Sequence, residues 1–143
     1  MKKTLLIALV VMVLSAVLLS ACGGGGGGAT ETVYKDPPAE YAGKTNPVKG
    51  DQAAIDAGKA VYTQNCESCH GSGGKGDGPA GSSLDPKPAD LTAASASASD
   101  AFLFWVVNEG GAAAELSASM AAYKGVLSED EIWQVLAYVS TLK

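Results

Sequence analysis

The chain has 143 residues, with 10 basic and 15 acidic side chains and one histidine, a formal charge of −5 at neutral pH. That acidity argues against nucleic-acid binding, because phosphates would repel it, and favours partners with a basic docking face or no electrostatic partner. Two Trp and two Phe against 18 Gly leave a small apolar inventory for a core.

In chain order, MKKT and the run LLIALVVMVLSAVLLS (residues 5–20) carry the basic head and apolar middle of an export signal. The run closes on LSAC. A leucine, two small residues and a cysteine resemble the bacterial lipoprotein signal, whose cleavage leaves the cysteine, here Cys22, as a lipid-bearing N-terminus. The alternatives are an ordinary secretory signal and an uncleaved membrane helix, since about 18 apolar residues just span hydrocarbon. All three carry the rest of the chain across the membrane. The lipid-anchored form would sit on the outer face of the cytoplasmic membrane or elsewhere in the extracytoplasmic space. Loss of residues 1–21 takes two lysines and no acid, moving the formal charge from −5 to −7.

Six glycines (23–28) follow Cys22, then a stretch with three prolines, scattered charge and no sustained period. Residues 22–50 therefore read as the lipidated cysteine and a flexible tether. Twenty-eight such residues reach roughly 30 Å on average and about 90 to 100 Å when stretched. Tyr34 and Tyr41 leave open a second reading, in which part of this stretch lies along the domain or a partner.

The folded domain is expected over residues 51–143, small enough that its core is modest. DQAAIDAGKAVYTQN reads as a helix, with Asp51 as N-cap and Ile55, Gly58, Val61 and Tyr62 along one side. An interior Gly costs about 1 kcal/mol relative to Ala, so Gly58 points to a second backbone approaching there. SDAFLFWVVNEGG is strand-like in composition. A short buried helix is the preferred reading, because Ser99 or Asp100 can cap its start and Gly110 its end. LSEDEIWQVLAYVSTLK has the strongest helix signature: a capping box of Ser128 and Glu131, a staple of Leu127 and Ile132, and a stripe through Ile132, Val135, Leu136, Val139 and Leu142. The simplest packing lays this last helix across the first at Gly58.

NCESCHG, residues 65–71, gathers two of the three cysteines and the only histidine. Structural zinc normally takes four protein ligands, and the domain has no further Cys or His to complete such a set. A thioredoxin-like pair belongs in a βαβ context, whereas this one follows a helix and enters a Gly-rich loop. C-x-x-C-H is the attachment signal of c-type haem, in which Cys66 and Cys69 add to the two vinyl groups and His70 becomes an axial iron ligand. With one histidine, bis-His ligation is impossible. Met1 and Met12 lie in the signal, which leaves Met120 as the thioether able to complete the axial pair. The alternatives are a gap-filling or partner-facing Met120, with Tyr123 or a lysine as ligand instead.

Residues 52–142 resemble the class I monohaem cytochromes c. The likeness rests on GKAVYTQNCESCHG, GDGPAG, LDPKPADLT, SASMAAYKG and EIWQVLAYV. It implies an all-α fold of three to five helices around one covalent haem c, first and last helices crossing. It also implies that the Pro79 carbonyl accepts a hydrogen bond from Nδ1 of His70, orienting the imidazole. Trp105 would either reach a haem propionate or pack in the core. One departure is that Ala121 and Ala122 follow Met120 where relatives often have proline, leaving the loop less stiff.

The function these residues predict is one-electron transfer without bond making: both axial positions are filled by protein, so no small-molecule substrate binds the iron. The expected partners are redox proteins of the membrane, a quinol-oxidising complex or dehydrogenase as donor and a terminal oxidase or reaction centre as acceptor. LDPKPADLT and FLFWVVNEGG resemble monohaem subunits of larger complexes, including alternative complex III. The rival reading is a haem-based sensor or peroxidase-like enzyme in which Met120 is labile.

Overall fold

The computed structural model describes residues 34–143. The export signal, Cys22 and the glycines 23–28 lie outside the described residues. Helix α1, Gln52–Asn65, starts where the Asp51 carboxylate accepts the N–H of Ala54 at 2.9 Å, satisfying one of the donors a helix start leaves unpaired. A one-turn helix α2, Glu67–His70, follows at once and, with its N-cap Cys66, carries the Cys-x-x-Cys-His residues. Helix α3, Leu91–Ser97, is a short addition that the sequence did not announce; Asp90 caps it by accepting from Thr92 and Ala93. The Asp90 carboxyl is held below its usual range, chiefly by the Thr92 hydroxyl.

Helix α4, Asp100–Glu109, is capped by Ser99 and ends at Gly110, as its flanking residues predict. Burial decides it against the strand: Phe102, Phe104, Trp105 and Val106 are all under 10 % exposed, and a single strand would have left their backbone groups unpaired. A 3-10 turn, Gly111–Ala114, leads into the segment bearing Met120. The last helix, α5, Glu129–Val139, has the full capping box between Ser128 and Glu131. The described residues contain no strand, only an isolated bridge between Lys124 and Leu127. None of their helices is long and apolar enough to cross a membrane.

Helices α1 and α5 cross at Gly58. A Cβ placed on Gly58 would lie 1.9 Å from the carbonyl oxygen of Gln134, so only a residue without a side chain lets the two backbones meet. Helix α5 serves two apolar clusters. Ile132, Trp133 and Leu136 join Phe102, Phe104, Trp105 and Tyr41, with Trp133 4.4 Å from Phe104 between ring centroids. Val135 and Val139 pack with Tyr62, and Cys66, Leu91, Tyr138 and Leu142 lie against them. A helix with two buried stripes joins the cluster behind Met120 to the cluster behind Cys66.

The boundary expected at residue 51 is corrected. Residues 34–50, read above as tether, form a strap on the domain, which is the second reading that Tyr34 and Tyr41 left open. Tyr41 is 7 % exposed within the aromatic cluster, and its hydroxyl donates to Glu109 and accepts from Asn108. Tyr34 lies 4.9 Å from Phe102 between centroids. The Asn46 side chain donates to the carbonyl of Trp133 at 2.9 Å, and Lys35, Lys44 and Lys49 pair with Glu115, Glu129 and Asp100. Prolines and mixed charge give this stretch no helix or strand of its own. Its order comes from the aromatic surface of α4 and α5, a long-range contribution that local pattern does not register. An open recess of about 530 Å³ between the strap and the start of α4 includes Asp36, Lys44 and Asp100 in its lining and none of residues 65–71.

Candidate functional site

Helix α2 is only one turn long, and that shortness groups its functional side chains. The N–H groups of Cys69 and His70 both bond to the carbonyl of Cys66, at 3.2 and 2.9 Å, so both thiols and the imidazole issue from a single turn. The two cysteines are not joined in a disulfide. Burial pushes the Cys66 thiol up to about 11, with Cys69 adding a smaller upward push. Among the described residues, no group of three or more His, Cys, Asp or Glu side chains is placed to hold a metal ion.

The carbonyls at the end of a helix need partners, and here the Gly-rich loop supplies them. Gly76 N–H bonds to His70 O at 2.9 Å, Gly78 N–H to Cys69 O at 3.2 Å, and Ala80 N–H to Ser68 O at 2.9 Å. GSGGKGDGPAG is thus a fitted cradle around α2. Gly76 has φ +77°, and a Cβ there would fall 2.2 Å from the carbonyl oxygen of Pro88, so glycine is needed both for its dihedral and for the close approach. The same approach, together with Leu91 N–H bonding to Gly74 O at 2.7 Å, draws residues 88–91 up to the imidazole.

Nδ1 of His70 lies 3.1 Å from the carbonyl oxygen of Ala89. The expected Pro79 partner is therefore corrected: the cradle turns Pro79 outward, where its carbonyl accepts from Ser82 Oγ at 3.0 Å. The carbonyl next to Pro88, just before the Asp90 cap, takes its place. The bond fixes Nδ1 as the protonated nitrogen, since a carbonyl can only accept, and leaves Nε2 with its lone pair. Burial lowers the His70 pKa, opposed by the Ala89 bond, so the ring is kept in the neutral form that binds metal.

Met120 is half-buried against the aromatic cluster, in a turn where its N–H bonds to Ser117 O and its carbonyl accepts from Gly111 N–H. Tyr123, the alternative donor, commits its hydroxyl to the carbonyl of Asn65 at 2.6 Å, and burial raises its pKa. Lys124 is held by Glu109 at 2.7 Å. Trp105 is 4 % exposed in the core, edge-on to Phe102, and its indole N–H has no acceptor among the described residues. Packing is its visible role. Sequence reasoning missed the Ala89 carbonyl and the Tyr123 bond. No local pattern marks either one.

The donor set fits haem c on its chemistry: two unpaired thiols on one turn, and an imidazole whose Nδ1 is occupied and whose Nε2 is not. The sequence profile of the family described as cytochrome c oxidase, cbb3-type, subunit III, matches residues 53–139. Among solved structures, the chain is similar to cytochrome CL from the marine methylotrophic bacterium Methylophaga aminisulfidivorans MPT, with a TM-score of 0.52 and 24 % identity. The match covers 68 % of this chain and 60 % of that one, so the likeness extends over less than two thirds of that protein and shows the fold. None of the curated proteins compared with the chain matches it.

Proposed function

The chain belongs to the family of the cbb3-type cytochrome c oxidase subunit III, and from that premise we propose that it is a membrane-tethered one-electron carrier with a single covalent haem c ligated by His70 and Met120. Membership makes it a haem-based electron-transfer protein of cytochrome c fold; the ligand pair, the tether and the partners are the finer reading. The observation that carries it is the single turn presenting Cys66, Cys69 and a His70 oriented through Ala89. Haem supplies an iron that takes up and releases one electron at a time. Cys66 and Cys69 would hold the ring beside α2, His70, kept in one tautomer and orientation by Ala89, would ligate the iron, and Met120 would be its second protein ligand. Trp105 belongs to the aromatic cluster against which Met120 packs, and its N–H, without an acceptor among the described residues, would serve a haem propionate.

An iron held by two side chains of the protein would change oxidation state with little movement, which suits a carrier better than a substrate-binding enzyme. The acidic mature chain is suited to basic docking faces, and a quinol-oxidising complex or dehydrogenase as donor, with a terminal oxidase or reaction centre as acceptor, fits that role. Two settings follow: a free shuttle on the membrane, and a fixed subunit of a larger complex such as alternative complex III, whose stretches the chain resembles. Co-purification from detergent-solubilised membranes separates them.

The covalent attachment is tested on protein matured with haem. One haem per chain is expected to remain with the polypeptide through denaturing electrophoresis, and the Cys66→Ser/Cys69→Ser double variant is expected to lose it. Haem that leaves the wild-type chain on denaturation would defeat the covalent reading. The anchor is tested separately. Cys22→Ser is expected to shift the chain from the membrane to the soluble extracytoplasmic fraction; a variant that stays in the membrane speaks for an uncleaved helix.

A further inference from the structure

The two proposed axial ligands sit on segments supported by different parts of the core. His70 follows Cys66, which rests on the Tyr62–Val135–Val139 cluster, while Met120 rests on the aromatic cluster. Nearly every hydrogen bond of the Met120 segment runs back to α4 or stays within its own turns. Gly111 N–H reaches Met120 O at 3.0 Å, Tyr123 N–H reaches Val107 O at 3.1 Å, and Lys124 N–H reaches Asn108 O at 2.9 Å. Lys124 pairs with Glu109, and Glu115 with Lys35 of the strap. Among the described residues, a single hydrogen bond joins segment 110–127 to segment 51–90: the Tyr123 hydroxyl donates to the carbonyl of Asn65 at 2.6 Å.

Its two ends are well placed. Asn65 immediately precedes Cys66, and Tyr123 comes three residues after Met120. Between Met120 and Tyr123 lie only Ala121 and Ala122, both exposed, with neither a side chain able to tie the loop nor a proline to stiffen it. The phenol is half-buried, and burial raises its pKa, so it remains a donor throughout the neutral range.

We propose that Tyr123 is the positioning residue of the sixth coordination position: its bond to Asn65 latches the Met120 segment onto the haem-attachment turn and sets how readily Met120 yields to an external ligand. The inference rests on Met120 being that ligand. A neutral hydrogen bond of this kind shifts an open-to-closed equilibrium by a factor of about 2 to 10. The same factor then appears in the affinity for any external ligand that needs the open state.

The test is an imidazole titration of the ferric, haem-loaded full chain, with Tyr123→Phe, Met120→Ala and Asp51→Ala alongside wild type. Tyr123→Phe keeps the ring and removes the donor; it is expected to bind imidazole about two- to tenfold more tightly with unchanged haem content. Asp51→Ala removes the cap at the far end of α1, lowering stability without touching the latch, and is expected to bind as wild type does. Wild-type affinity in Tyr123→Phe, or an equal gain in Asp51→Ala, overturns the latch. If Met120→Ala binds no more tightly than wild type, the ligand assignment fails instead, a result that the Tyr123 variant alone would not produce.

Discussion

Replacing Met120 with alanine is expected to turn the ferric protein from low-spin to predominantly high-spin and to lower its midpoint potential by more than about 0.1 V, within the roughly 0.8 V range over which axial ligands set haem potentials. The size of the effect follows from what surrounds the position. Ala121 and Ala122 offer no donor, the Tyr123 hydroxyl is bound to Asn65, and Lys124 is paired with Glu109, so water is the replacement closest to hand. A water-ligated iron loses the thioether that favours the reduced state. Absorbance and a redox titration of the same sample measure both quantities. An unchanged low-spin spectrum with an unchanged midpoint would remove Met120 from the iron. The rival sensor reading separates on the wild type itself, since a ferric protein already high-spin at neutral pH has an open position for gas or peroxide.

The second large effect is expected at Gly58→Ala. In an exposed helix this change would stabilise by about 1 kcal/mol through propensity. Here the new Cβ meets the Gln134 carbonyl oxygen at 1.9 Å, its carbon at 2.4 Å and the Val135 nitrogen at 2.9 Å, all backbone atoms that no rotamer change can move aside. Helices α1 and α5 must separate, and α5 carries side chains of both apolar clusters, so the loss is shared across the core. A cost of about 3 kcal/mol, the upper end of overpacking, corresponds to a Tm lowered by more than about 10 °C in a domain of this size. Thermal unfolding of the haem-loaded protein, followed by circular dichroism, gives the number. A Tm at or above wild type would mean the helices do not meet at Gly58.

The two substitutions probe different contributions. Met120→Ala acts on the iron and leaves the helix crossing alone; Gly58→Ala acts on the crossing and leaves the ligands in place. A Gly58→Ala protein that refolds around haem at lower temperature should keep the low-spin ferric spectrum of wild type. The strap is a further contributor to stability. It lies outside the stretch matched by the family profile, yet its Tyr41 is as buried as the residues of α4.

By itself the sequence determined whatever depends on bonds within a few residues. Asp51, Ser99 and Ser128 could be read as caps because a helix start is satisfied by its own neighbours, and Gly58 could be read as a crossing because an interior glycine is costly without one. Cys-x-x-Cys-His was legible because haem attachment needs those groups on one turn. Tertiary structure alone decided the rest. Every residue carries a carbonyl, so nothing in the composition of the loop distinguishes Ala89 from Pro79 as the partner of His70; the path of the chain does. Residues 34–50 acquire order only from the aromatic surface they cover. Tyr123 and Asn65 are 58 positions apart, and their meeting depends on how helices α1, α4 and α5 pack, an outcome no local window contains.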